Sequence, residues 1–236
     1  MTSSIARTID HAVLHPAQTD ADLREACRMG MALEVATICV KPYMVPLAAE
    51  LLASAPVGVS TVIGFPHGSA PTSIKVAEAT WAGKHGATEL DMVVNLGHVI
   101  GGDWDQVAAD IHAVVAAGHE QEAATKVIFE TGLLPDDAAK IRLCEISEQA
   151  GAAYVKTSTG FGFVKQPDGS VRATGATEHD VQLLRRHCSE RVGVKASGGV
   201  RTYAAAVRMV QLGATRLGTS STEAIVREEQ GLAALF

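Results

Sequence analysis

The sequence is short of aromatic residues, of net positive charge, of paired cysteines and of long apolar runs, and each shortage removes a class of function. Aromatic side chains make up 4% of the 236 residues although 47% are hydrophobic, so the core has to be assembled from small and branched aliphatic side chains, as in α/β proteins. The formal charge is -6 and the Lys and Arg residues are scattered, which leaves no basic footprint for nucleic acid. No apolar run approaches the roughly 20 residues that cross a bilayer, and Met1 to Asp10 lacks the apolar centre of a secretion signal. The expectation is a cytoplasmic protein with neither nucleic acid nor membrane as partner. Cys27, Cys39, Cys144 and Cys188 are far apart and form no CxxC pair, which fits buried thiols in a reducing compartment better than a zinc site or a disulfide framework.

What the chain does contain is alternation. Short β-rich runs near Thr8–Leu14, Val35–Val40, Val59–Phe65, Thr88–Val94, Lys126–Glu130, Ala153–Ser158, Val192–Ala196 and Thr215–Gly218 are separated by Ala-rich segments with helical spacing. Helix starts are marked by Thr19-Asp20, Pro71, Asp103 and Pro135-Asp136, and helix ends by Gly83, Gly118 and Gly151. Eight strands in a chain close to the roughly 250 residues of a (β/α)8 TIM barrel predict one catalytic domain over residues 1–236. The longest irregular stretch, Gly160 to Thr177, follows the sixth strand and reads as a functional or mobile loop.

Three charged residues interrupt apolar strands: Asp91 on the fourth, Lys156 on the sixth and Lys195 on the seventh. A single strand lysine commonly packs its stem and sends its ammonium to solvent. Three charges at late-strand positions are another matter, because a closed barrel turns them all toward its C-terminal mouth, where barrel enzymes place their chemistry. Two lysines beside a carboxylate suit Schiff-base catalysis. A nucleophilic lysine must be neutral at working pH, and bringing a free lysine to that state costs roughly 4 kcal/mol. A second ammonium about 6 Å away, at an effective dielectric near 20, supplies on the order of 3 kcal/mol and desolvation the remainder. Lys156 is therefore the candidate nucleophile, Lys195 the perturbing cation, and Asp91 a relay that moves protons through water.

Three strand ends carry small residues: Ser158-Thr159-Gly160, Ser197-Gly198-Gly199 and Gly218-Thr219-Ser220-Ser221. Glycine and serine close many βα turns. Three adjacent edges at the end of a barrel are also where exposed N–H groups and a helix start at Thr222-Glu223 would receive a phosphate, with Ser220, Ser221 and Arg201 assisting.

The strings Ile9-Asp10-His11, ELDMVVN (Glu89–Asn95), KVIFETG (Lys126–Gly132), YVKTSTGFG (Tyr154–Gly162) and GVKASGGVRT (Gly193–Thr202) resemble the deoxyribose-phosphate aldolase family over Ile9 to Ile225. The resemblance implies a class I aldolase that reversibly cleaves 2-deoxy-D-ribose 5-phosphate to D-glyceraldehyde 3-phosphate and acetaldehyde, with no metal or organic cofactor. It implies Lys156 as the Schiff-base lysine, Lys195 as the lysine that perturbs it and Asp91 as the proton relay. It further implies Gly160, Gly198, Gly199, Ser220 and Ser221 as the phosphate edge, and Asp10 and Cys39 as first- and second-strand residues near the substrate. Some members of that family carry a lysine after TSTG and a tyrosine at the end of a longer tail; here Phe161 follows TSTG and the sequence finishes at Phe236, which implies weaker phosphate affinity and proton exchange through Asp91 and water alone. Val164–Ala173 is longer than usual for the family and is expected to reshape access to the phosphate edge.

The readings that compete are another lysine Schiff-base sugar-phosphate aldolase, a metal-dependent aldolase or isomerase using histidines such as His11, His15, His67 and His98, and a barrel that binds a sugar phosphate without catalysis. The histidine spacings give no convincing ligand pair apart from His11 and His15 at a strand end. The expected partner is a small phosphorylated sugar or aldehyde. A homodimer is compatible with the sequence, which does not fix the oligomeric state.

Overall fold

The computed structural model describes residues 4–231, and the sequence features at Phe236 lie outside them. Eight parallel strands close into a barrel. In chain order these are β1 (Ile9–Val13), β2 (Thr37–Val40), β3 (Gly58–Ile63), β4 (Glu89–Val93), β5 (Ala124–Ile128), β6 (Tyr154–Lys156), β9 (Gly193–Ser197) and β10 (Arg216–Thr219), and β10 pairs back to β1. The eight runs read from the sequence are these eight strands. The largest difference is at β5, which begins at Ala124 and ends at Ile128, so that Lys126 is its central residue and not its first.

The helices that cover the barrel are α1 (Asp20–Leu33), α2 (Val45–Leu52), α3 (Thr72–Lys84), α4 (Leu96–Gly101), α5 (Trp104–Glu120), α6 (Asp137–Gln149), α7 (Glu178–His187), α8 (Tyr203–Gln211) and α9 (Thr222–Glu229). Their starts follow the capping chemistry of the sequence. Asp103, Asp136, Thr177 and Thr202 each accept a backbone N–H of the first turn, and Thr19 and Asp22 form a capping box.

The strands alternate with period two, and their two faces carry different chemistry. Ile9, Val13, Ile38, Val40, Leu90, Met92, Val127, Val155, Val194 and Leu217 face outward and join the helices in one aliphatic core. The residues between them face the bore. These include Asp10, Ser60, Glu89, Asp91, Lys126, Lys156, Lys195 and Arg216, which touch one another across the barrel. A barrel bore is ordinarily filled by bulky branched side chains; here a column of ion pairs takes much of that place.

The stretch Gly160–Thr177 is not irregular throughout. It contains an antiparallel hairpin, β7 (Phe163–Lys165) and β8 (Val171–Ala173), turned at Asp168-Gly169 with Gly169 at φ 85°, and its strands pair only with each other.

Candidate active site

A cavity of about 610 Å³ opens at the C-terminal mouth of the barrel. Asp10, Cys39, Lys156 and Lys195 reach its floor, and Gly160, Gly198, Gly199, Arg201, Ser220 and Ser221 line one side. Every site residue read from the sequence therefore converges on one cavity except Asp91, which is wholly buried beneath the floor. Asp91 and Lys195 are the central residues of β4 and β9 rather than late ones; Lys195 nevertheless reaches the floor, whereas Asp91 meets the cavity only through the amines above it.

Register explains the convergence. Lys156 on β6 lies directly across from Lys195 on β9, and Asp91 on β4 lies across from Lys126 on β5. Asp91 Oδ2 accepts from Lys156 Nζ at 2.6 Å and from Lys195 Nζ at 2.7 Å, so the two amines share one oxygen and lie within the sum of those distances of each other. The other oxygen, Oδ1, accepts from Lys126 Nζ at 2.7 Å and from Ser60 Oγ at 3.2 Å. Gly218 has no side chain because one would press on Lys195: a Cβ there would sit 3.1 Å from Lys195 Cε and 2.7 Å from Ser197 Cβ.

Below this group the column continues. Lys195 also binds Asp10. Lys126 Nζ lies 3.0 Å from Asp10 Oδ2 and 2.6 Å from Glu89 Oε2. Arg216 reaches Asp10 at 2.5 Å, Glu89 at 2.8 Å and the Tyr154 hydroxyl at 3.0 Å. Lys126, Glu89 and Arg216 are functional candidates that the sequence reading passed over. The usable signal was there: Lys126 is a charge inside an apolar strand, hidden by setting the strand boundary at it.

The four cations of the column are Lys126, Lys156, Lys195 and Arg216, and the three carboxylates are Asp10, Glu89 and Asp91. One cation is in surplus, and burial disfavours surplus charge. The surplus falls on Lys156. Its ammonium is disfavoured first by burial and then by Lys195, against the opposing pull of Asp91, and the balance lowers its proton affinity. Burial acts on Lys195 in the same direction, but Asp10 and Asp91 outweigh it and hold Lys195 as a cation. For Asp91 burial favours the neutral acid, yet Lys126, Lys156 and Lys195 together hold its carboxyl well below the usual range. Asp10 is depressed in the same way, with Lys126, Lys195 and Arg216 overcoming burial. The site thus holds an amine of lowered proton affinity between a carboxylate and an ammonium.

The opposite wall is apolar. Leu14, Cys39 and Val62 pack with Ala12, Phe65 and Phe161, and Phe161 stands edge-on to Phe65 at 5.3 Å. Burial pushes the Cys39 thiol up, and Asp91 adds to the effect. On the glycine side, Gly160, Gly198 and Gly199 have φ near +85°, at 83°, 86° and 88°, in the left-handed region that glycine enters freely. Gly160 and Gly199 have open space where a side chain would be. The Ser221 N–H is already given to Thr219 Oγ1 at 2.9 Å, which leaves Ser221 its hydroxyl to offer.

Glu130, buried two residues beyond β5 with φ 53°, ties this edge to the hairpin. Its Oε2 accepts from the Thr159 N–H at 3.1 Å and from the Thr159 hydroxyl, and its Oε1 from the Thr174 hydroxyl at 3.1 Å. No residue of β7 or β8 lines the cavity, so the lengthened loop stands beside the edge and not across it. The histidines raised as metal ligands are spread out: His11 Nδ1 pairs with Thr222 Oγ1 at 2.9 Å, and His15 Nδ1 accepts from Ala17 N at 3.2 Å. Among the described residues the one His, Cys, Asp and Glu cluster close enough for a cation is Asp137, His179 and Asp180 on α6 and α7, away from this cavity, where the Lys140 ammonium already bridges the two carboxylates.

Comparison with known proteins agrees with the geometry. The profile of the DeoC/LacD family aldolase matches residues 4–234. The deoxyribose-phosphate aldolase of Carboxydothermus hydrogenoformans is 43% identical over 228 residues, covering 96% of this chain and 95% of that protein. That of Thermococcus gammatolerans is 46% identical over 224 residues, covering 94% and 95%. The solved tetrameric structure of the deoxyribose phosphate aldolase from Aeropyrum pernix superposes with a TM-score of 0.86 at 32% identity, covering 97% of this chain and 92% of that one.

Proposed function

We propose a function from the premise that this chain belongs to the DeoC/LacD aldolase family: it is a class I aldolase that reversibly cleaves 2-deoxy-D-ribose 5-phosphate to D-glyceraldehyde 3-phosphate and acetaldehyde. The observation that carries the reading is the buried amine of Lys156, exposed to the cavity on one side and bound to Asp91 at 2.6 Å on the other.

The neutral Lys156 attacks the aldehyde carbon of the open-chain sugar, and the carbinolamine loses water to give the iminium. The iminium draws electrons from the C2–C3 bond as the C3 hydroxyl gives up its proton. Glyceraldehyde 3-phosphate leaves, an enamine stays on Lys156, and protonation at C2 followed by hydrolysis frees acetaldehyde. Asp91 and Lys195 share an oxygen–ammonium contact beside that nitrogen, so a proton released at Lys156 has an acceptor at hydrogen-bond distance. Asp91 acts through the amines rather than on substrate directly, because it is walled off from the cavity. The phosphate is read as bound on Gly160, Gly198, Gly199, Ser220 and Ser221, with Arg201 and the start of α9 adding positive charge. Asp10 holds Lys195, and Cys39 shapes the apolar wall. The chemistry needs no group beyond these side chains.

The same reading takes residues 1–236 as one catalytic domain working in the cytoplasm; no described helix is long and apolar enough to cross a membrane. It also takes the active form as a homo-oligomer, as the Aeropyrum relative is, which light scattering tests. The decisive experiment for the chemistry is borohydride reduction in the presence of acetaldehyde, followed by peptide mass spectrometry. An ethyl adduct on Lys156 is expected; an unmodified protein, or an adduct on another lysine, refutes the assignment.

A further inference from the structure

Lys126 is wholly buried, and it forms no part of the cavity wall, so it touches no substrate. Its ammonium is nevertheless the most heavily bound in the column, with Asp91 Oδ1 at 2.7 Å, Asp10 Oδ2 at 3.0 Å, Glu89 Oε2 at 2.6 Å and Ser60 Oγ at 3.1 Å. Two consequences follow from that placement. By taking Oδ1 of Asp91, Lys126 turns Oδ2 toward Lys156 and Lys195. By its charge, it completes the neutralisation of the three carboxylates. Lys126, Lys195 and Arg216 balance Asp10, Glu89 and Asp91 without any contribution from Lys156.

We propose that Lys126 is a positioning residue of the aldolase reaction: its buried charge satisfies Asp10, Glu89 and Asp91 from below and so leaves Lys156 free to remain unprotonated. The inference rests on the reading of Lys156 as the Schiff-base amine. The groups that bear on this charge are Asp10 on β1, Cys39 on β2, Glu89 and Asp91 on β4, Tyr154 and Lys156 on β6, Lys195 on β9 and Arg216 on β10. Removing one positive charge from that set leaves the carboxylates in excess, and Lys156 is the amine next to them. It then holds its proton more tightly, and the pH needed to free it rises. Removing one carboxylate acts in the opposite direction.

The test is the pH profile of adduct formation with acetaldehyde under borohydride, together with kcat/KM for the retro-aldol reaction, in Lys126→Met, Lys126→Arg and Glu89→Gln. Lys126→Met is expected to move the acid limb up by about one pH unit or more, which slows adduct formation at pH 7 by about tenfold and restores it as pH rises. Lys126→Arg keeps the charge and is expected to keep the limb near its wild-type position. Glu89→Gln is expected to move the limb down. A Lys126→Met profile that is lower but superimposable on wild type after scaling overturns the proposal, since loss of packing alone gives that result. Where Lys126→Met does not fold, an unmoved limb in Glu89→Gln overturns it equally. A wild-type protein with no adduct at Lys156 refutes the aldolase reading itself, whereas an adduct with unmoved limbs refutes only the role of Lys126.

Discussion

On β4, Leu90 and Met92 enter the aliphatic layer under the helices, while Glu89 and Asp91, their immediate neighbours, enter a column of ion pairs. The same alternation separates Ile9 from Asp10 on β1, Val127 from Lys126 on β5, Val155 from Lys156 on β6 and Val194 from Lys195 on β9. The outer face gains free energy from apolar burial, about 25 cal/mol for each Å² removed from water. The inner face gains little by comparison, because the desolvation of buried ions offsets most of their mutual attraction. The fold is thus held by one side of the sheet and the reactivity is set by the other, in residues that are adjacent along the chain.

Substitutions on the two faces should therefore fail in different ways. The largest effect is expected inside. Lys156→Leu should lower retro-aldol turnover by about a thousandfold or more, with thermal unfolding close to wild type, because the nucleophile is lost while Lys126, Lys195 and Arg216 still balance Asp10, Glu89 and Asp91. Near-normal turnover, or a collapse in stability, would show that the inner charges do not divide from the fold in this way. The outer counterpart is Leu90→Ala, which empties a fully buried site and should cost about 3 kcal/mol in urea unfolding. Its kcat/KM under native conditions should stay within about twofold of wild type, and a change in the pH profile would show that the two faces are not separable. A smaller effect is expected where neither face is involved. Glu130→Gln removes one acceptor from the tie between Thr159 and Thr174, which should speed tryptic cleavage at Lys165 and Arg172 in the hairpin by about threefold to tenfold while borohydride trapping at Lys156 is unchanged.

The contrast also explains what could be read in the sequence. Strands buried on both sides appear as short apolar runs bounded by caps and glycines, and all eight barrel strands were visible in that form. Asp91, Lys156 and Lys195 stood out because each interrupts such a run. Lys126 did not, since a strand drawn from it turns an interior charge into a boundary charge, and Glu89 and Arg216 lie at the N-terminal ends of β4 and β10, away from the mouth where barrel chemistry is expected. Their partners are remote in sequence, as with Arg216 and Asp10, so only closure of the barrel reveals the pairing. The hairpin β7–β8 carries the Asp168-Gly169 turn that forecasts it, but its strands are only three residues long and mostly exposed, too short to show the alternation of a half-buried strand. The depth of Asp91 below the cavity was not legible either: spacing gives the face of a strand, while register against β5 gives the level.

The hairpin has a consequence of its own for the history of this scaffold. Because β7 and β8 bond to each other and contribute no hydrogen bonds to the barrel ladder, residues can be gained or lost at the Asp168-Gly169 tip at little more than the entropy of closing a longer loop. It is a place where lineages can diverge in length, or where a foreign segment can be spliced in, with the lysines left untouched.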